Sequence, residues 1–370
     1  MLKIMLKRLK SETVLCISGL LAAVTMFLVP PSKLYIENID FRVLTLLFAL
    51  MCVVQGWQKI GVFERLGQVL LRGIENSRQL EIVLIGICFF SSMLITNDVA
   101  LITFVPFTIM LLPMAGQKDK MVFIIVMQTI AANLGSMLLP IGNPQNLYLF
   151  STAEMDIGQF ILAMLPLWCI SFIILYVILI CRKNVSIEEY SQKNLMARDK
   201  KQEIIYTVLF IICILCVLRI LPYQILLVIV LATIFLVDRL LFLRVDYGLL
   251  LTFVFFFLFI GNMKQLTSVT TFLSQVLEGN ELVAGIISSQ VISNVPATIL
   301  LSGFTTEYIE LLRGVNIGGL GTLIASLASV ISYKFFSEVR DVKKSSYMFQ
   351  FTMWNSMFLI LLWIVTKIIL

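Results

Sequence analysis

The chain contains no histidine at all, and only 14% of its 370 residues are charged. Without imidazole, the two commonest roles of histidine, proton transfer and metal ligation, are closed to it. Clustered carboxylates and a serine-nucleophile motif are also missing, so an enzyme is not expected. The seven cysteines lie in or at the ends of apolar runs. Cys213 and Cys216 form a C-x-x-C, but with no second pair and no histidine that spacing reads as small buried side chains. The scarcity of charge also argues against a soluble domain, in which about a quarter of residues are charged.

Apolar sequence is what the chain does have. Hydrophobic residues make up 59% and the mean hydropathy is +0.99. Many windows reach the ~20 apolar residues that cross a hydrocarbon core. The chain is therefore read as an all-α polytopic membrane protein in the cell membrane. The net charge of +6 comes from Lys and Arg in short loops and needs no nucleic-acid partner. Placing Lys3, Lys7, Arg8 and Lys10 inside makes 13–30 an uncleaved first helix. It also puts Lys59, Arg65, Lys120, Arg182 and Arg239 inside and Arg42, Arg219 and Arg313 outside, with the N-terminus cytoplasmic and the C-terminus external. About nine full spans are expected, near 13–30, 41–58, 121–150, 158–181, 203–221, 223–243, 247–262, 315–336 and 347–370. The more polar stretches 59–80 and 263–280 read as helices lying along the two membrane surfaces.

The most informative pattern is a repeat. Ser91-Ser92-Met93-Leu94-Ile95-Thr96-Asn97 and Ser288-Ser289-Gln290-Val291-Ile292-Ser293-Asn294 share S-S-x-x-I-[T/S]-N. Asp40-Phe41 matches Asp246-Tyr247, and the block from Asn133 matches the block from Asn316. The first half is read as 1–181, with a hairpin at 81–115 and a broken helix at 121–150. A cytoplasmic linker follows at 182–202 and a connecting helix at 203–221. The second half, 223–370, has a hairpin at 281–313 and a broken helix at 315–336. Five crossings between equivalent spans make the second half upside down, an inverted repeat whose re-entrant hairpins, with arms of about 15 residues, meet near the midplane.

Polar groups at that depth are costly unless they line a cavity. Thr96, Asn97, Asn143, Gln145, Asn146, Ser293, Asn294 and Thr298 are the candidate substrate-binding residues. Asn97 and Asn294 are expected to cap the returning arms, with Pro296 in the first turn. Gly142 is expected to end a half-helix at positive φ, and Asn143 and Pro144 to start the next. Helix N-termini there would attract an anion, and exposed carbonyls would hold a cation. Asp98, the one carboxylate well inside the first half's apolar sequence, is a coupling candidate with Asn97, Asn294, Gly142 and Ser326. A lone charge at that depth costs ~3 kcal/mol.

These residues resemble the ion transporter superfamily, in "ITNDVALITFVPF" from Ile95, "IGNPQN" from Ile141, "ISNVPATILL" from Ile292 and "NIGGLGTLIASLA" from Asn316. That group includes arsenite permeases, divalent anion:sodium symporters, citrate–metal symporters and certain Na⁺/H⁺ antiporters. The divalent-anion symporters carry Ser-Asn-Thr at each tip. The Asn-Asp pair here is more similar to arsenite-permease-like and citrate-type members. The resemblance implies paired hairpins, a homodimer and elevator-like motion. It implies a secondary transporter for a small anion (carboxylate or inorganic oxyanion) driven by Na⁺ or H⁺, with arsenite or antimonite efflux and Na⁺/H⁺ antiport as alternatives. Na⁺ is the only non-protein component expected, as the coupling ion.

Overall fold

The structure is a computed structural model that describes residues 13–70, 74–185, 199–340 and 342–369. The basic N-terminal cluster and most of the 182–202 linker lie outside those residues. Among the described residues the regular structure is helical throughout.

In the first half, α1 spans Thr13–Leu28, α2 Phe41–Lys59 and α3 Val62–Leu70. The hairpin consists of α4, Ser77–Ile95, and α5, Asn97–Met114. Then come α6, Met121–Gly135, and α7, Pro144–Thr152, joined by two short 3₁₀ turns, Ser136–Leu138 and Pro140–Gly142. The helix α8, Ile157–Ile180, follows, and α9, Lys200–Val217, connects to the second half. There α10 is Tyr223–Asp238, α11 Tyr247–Lys264 and α12 Thr267–Leu277. The second hairpin is α13, Glu281–Ile292, with α14, Asn294–Ser302. Finally α15, Tyr308–Gly318, and α16, Leu327–Ser337, flank a 3₁₀ turn at Leu323–Ala325, and α17 is Lys344–Ile369.

The repeat is visible in the backbone itself. Asp40 (φ −79°, ψ 89°) caps α2 by accepting from the Val43 N–H, and Asp246 (φ −79°, ψ 84°) caps α11 by accepting from the Leu249 N–H. The hairpins turn at Thr96 (φ 73°, ψ 152°) and Ser293 (φ 73°, ψ 153°). Each broken helix has one 3₁₀ turn between two extended residues. These are Leu139 and Asn143 in the first half, Thr322 and Ser326 in the second. The halves run in opposite directions. Arg42 at the start of α2 donates to the Cys216 and Val217 carbonyls, whereas Lys59 at its end pairs with Asp238, the last residue of α10, from which the 3₁₀ turn Arg239–Arg244 leads to the start of α11. The end of α11 returns to the start of α2, where Gly261 lies against the Asn38 side chain. So α11 is antiparallel to α2, and the two hairpins enter from opposite ends.

Side-chain contacts keep those ends distinct. Arg65 pairs with Glu203 at 3.2 Å, and Glu81 with Lys120 at 2.9 Å and Arg182 at 3.4 Å, all at the end where α2 finishes. Arg219 donates to the Phe150 carbonyl at the other end. The innermost helix is α6, nearly all of whose residues are buried.

Three expectations change. Eight helices among the described residues are long and apolar enough to cross a membrane, and two of them are α4 and α5. The first hairpin's arms thus have 19 and 18 residues rather than about 15, because Asn76 caps α4 early by accepting from the Gln79 N–H. The second hairpin's arms are shorter, at 12 and 9 residues. Of the expected first span, the described helix α1 covers 16 residues, and α9 carries Lys200, Lys201 and Glu203 in its first turn, so among the described residues neither meets that length and charge pattern. Two further carboxylates are buried at the bases of the hairpins, Glu81 in α4 fully and Glu281 in α13 nearly so.

Candidate functional site

Four helices begin beside one buried cluster of amides: α5 at Asn97, α7 at Pro144, α14 at Asn294 and α16 at Leu327. The turn residues before α5 and α14 are strained. Thr96 and Ser293 occupy a region of backbone space that is almost exclusively glycine's, at a cost of ~1–3 kcal/mol each. Such a conformation persists only when the surroundings force it, and the surroundings here are two packed helix ends.

Asn97 and Asn294 are the first helical residues rather than the caps, one position later than the sequence pattern suggests. Each folds its Oδ1 back to accept the next N–H, from Asp98 and from Val295, both at 2.9 Å. Their amide NH₂ groups then point outward. The Asn97 Nδ2 donates to the Asn133 Oδ1 at 2.9 Å, and the Ser326 Oγ donates to the same oxygen at 3.0 Å. The Asn133 Nδ2 reaches the Gly319 carbonyl at 3.5 Å. Gly319 in turn lies against the Asn294 Nδ2, so any side chain there would collide with it. That Nδ2 has no acceptor among the described residues. The two tips thus sit on either side of an Asn133–Gly319 contact that joins the two breaks.

The first break is held by its own amides. Asn143 caps α7 by accepting from the Asn146 N–H at 2.9 Å, with Pro144 at the first helical position. The Asn146 Nδ2 donates to the Ser136, Met137 and Leu139 carbonyls at 3.2–3.4 Å. Asn316 joins the halves by donating to the Asn146 Oδ1 at 2.7 Å and accepting from the Asn143 Nδ2 at 3.3 Å. Gln145, also buried, makes no side-chain hydrogen bond to any described residue. The Asn294 Nδ2 and the Thr96 hydroxyl are likewise without a hydrogen bond to any described residue.

Other expected residues sit differently. Gly142 does not have positive φ. It must be glycine because a Cβ would drive into the Ser136 carbonyl. Thr298 is buried, but its hydroxyl donates to the Asn294 carbonyl one turn back at 2.6 Å. The Ser293 Oγ donates to the Ala325 carbonyl at 3.4 Å. The Thr96 side chain makes no capping bond. Asp98 is half-buried in the first turn of α5, and no Lys or Arg among the described residues pairs with it. A carboxylate so placed depends on the helix N-terminus, or on a bound cation, for compensation. Among the described residues no three His, Cys, Asp or Glu side chains group as a metal site.

Sequence reasoning missed Asn133 and Asn316 as site residues, although both opened the matched third blocks of the repeat. It also missed Gln290. The signal was present: a polar residue in one copy of the tip pattern where the other has Met93.

The profile of the citrate transporter family matches residues 1–309. An uncharacterised transporter of Methanocaldococcus jannaschii is 34% identical over 298 residues, 80% of this chain and 81% of that protein. The inner membrane protein YbiR of Escherichia coli is 31% identical over 319 residues, 85% of each chain. A silicon efflux transporter of Oryza sativa is 33% identical over 129 residues, 35% of this chain and 26% of that one. With apolar helices throughout, a broken helix in each half and these similarities, the chain is a multi-pass membrane transporter and belongs to the citrate transporter family.

Proposed function

We propose that the protein is a secondary active transporter that moves a small anion, a carboxylate or an inorganic oxyanion, by alternating access coupled to Na⁺ or H⁺. The observation that carries this reading is the meeting of two equally strained hairpin tips on either side of the Asn133–Gly319 contact. Four helix N-termini beside it supply partial positive charge, which suits an anion in a site where no Lys or Arg is among the groups joined to the cluster. The free amides of Gln145 and Asn294 supply donors, and Thr96, Asn97, Asn143, Asn146 and Ser293 surround them. Asp98 would take the coupling cation, with carbonyls of the breaks near Gly142 and Ser326 as further ligands; Na⁺ is the metal that fits such oxygen donors. The distribution of Lys and Arg supports an N-terminus in the cytoplasm and a C-terminus outside, in the cell membrane, and the same reading takes a homodimer as the assembly.

The family name makes citrate the first anion to try. The similarity to a silicon efflux transporter favours one second reading, export of a small oxyacid such as arsenite that is largely neutral at pH 7. Proteoliposomes loaded with labelled citrate, arsenite or silicic acid distinguish them under imposed Na⁺ or pH gradients. Gradient-driven citrate accumulation supports the proposal. Gradient-driven arsenite or silicic acid movement with no citrate flux supports the second reading. Flux indifferent to both gradients contradicts coupled transport.

A further inference from the structure

Both repeats face the same physical problem. Breaking a helix inside a membrane frees carbonyls that must find donors. The first half solves it within its own broken helix, where Asn146 at the start of α7 donates to the Ser136, Met137 and Leu139 carbonyls. In the register that matches Asn133 with Asn316, the equivalent of Asn146 is Ser329. Its hydroxyl is too short to reach back, and it is fully buried with no hydrogen-bond partner. The second break is held from elsewhere. Gln290, in the last turn of α13, donates from Nε2 to the Gly318 carbonyl at 2.8 Å and the Leu320 carbonyl at 2.9 Å. Its Oε1 accepts the Thr322 N–H at 2.8 Å, and the Gln290 carbonyl accepts from the Thr322 Oγ1 at 3.2 Å. Leu320 corresponds to Met137, so the same carbonyl is held in both halves, by amides from different elements. In the first hairpin the equivalent of Gln290 is Met93, which can do none of this.

We propose that Gln290 is a positioning residue for the second break: it holds residues 318–322 so that Gly319 stands between Asn133 and Asn294, and it thereby ties the second hairpin to the carbonyls of the break itself, whereas the first hairpin meets its broken helix before the break, through Asn97 with Asn133 and through Gln128 with Leu84 and Thr108. Gly321, at φ +100° and packed against the Gln290 side chain, is the residue that lets the chain bend around it. The proposal rests on the transport reading only for its functional consequence. Its structural content stands alone.

The test uses the full chain, purified into nanodiscs, with amide hydrogen exchange resolved for 317–323 and for 134–142. Gln290→Met, which keeps the volume and copies Met93, should speed exchange at 318–322 by about tenfold, as expected for the loss of several partly buried and exposed hydrogen bonds at once. The first break should be unchanged. Adding Ser329→Asn, which supplies the donor that Asn146 provides in the first half, should restore part of that protection. In citrate uptake by proteoliposomes, Gln290→Met should raise the half-saturating concentration several-fold and leave the maximal rate per folded molecule within about twofold; a merely structural defect would lower the folded fraction and leave the half-saturating concentration unchanged. Unchanged exchange at 318–322 overturns the proposal whatever the uptake shows, as does loosening spread equally over both breaks. An unaltered half-saturating concentration in a protein that transports citrate also overturns it. A parent that moves no citrate, combined with faster exchange confined to 318–322, supports the positioning role and counts against the choice of citrate instead.

Discussion

Asn133 accepts two hydrogen bonds on one oxygen and donates toward a third group across the two halves, yet nothing in its immediate sequence distinguishes it from any other asparagine in an apolar run. It became readable only through its match with Asn316. Asn97, Asn143, Asn146 and Asn294 stand out in the sequence as bulky amides at membrane depth, and the structure buries all four in or beside one cluster. Thr298 differs from these amides in that its hydroxyl is already satisfied on the carbonyl four residues back. Gly142 was legible as necessary, for the wrong reason: crowding by Ser136 is a tertiary fact invisible to local sequence. From this follows a paired prediction. Gly142→Ala should destabilise the folded protein by ~1–3 kcal/mol through overpacking, read as a lowered melting temperature. Thr96→Gly and Ser293→Gly should each leave it unchanged or raise it, because glycine relieves a strain of ~1–3 kcal/mol. A fall in both glycine variants would show that the tips are not strained. Asp98→Asn should alter the dependence of uptake on Na⁺ or pH more than the half-saturating anion concentration. Ion dependence identical to the parent's would make Asp98 a helix-end acid with no part in coupling.

Helix type and order were largely present in the pattern of apolar runs, because a segment at membrane depth has no alternative to internal hydrogen bonding. Helix ends were less legible. The first hairpin begins at Ser77 because Asn76 caps it, and because the Ser77 N–H bonds to the Val185 carbonyl 108 residues away. No local signal encodes that second partner. The same region hides Glu81, which anchors the base of α4 to Lys120 and Arg182. Removing the carboxylate leaves two cations facing each other. Glu81→Gln should therefore lower stability by ~2 kcal/mol, less than for a fully buried pair because Arg182 is partly solvated. A chemical-denaturation midpoint equal to the parent's would show that the base of the hairpin is held by packing alone.

Across the chain the two halves keep one backbone geometry while changing the side chains that support it, and this is why the repeat was detectable at short blocks and not along its full length. Selection on backbone shape leaves freedom in how each break is stapled. The inverted arrangement places Cys181, an exposed thiol at the end of α8 beside Arg182, on the side expected to face the cytoplasm. With Cys181 as the sole cysteine, a membrane-impermeant maleimide should label inside-out vesicles and spare right-side-out ones; the reverse pattern would invert the orientation. The convergence of both tips on one cluster is tested most directly by substrate uptake in Asn97→Ala and Asn294→Ala, each checked to share the parent's melting temperature and reconstituted at the parent's density. Both should lose transport together, although the residues lie 197 positions apart. Parent-like uptake in either variant would contradict a shared site between the two hairpins.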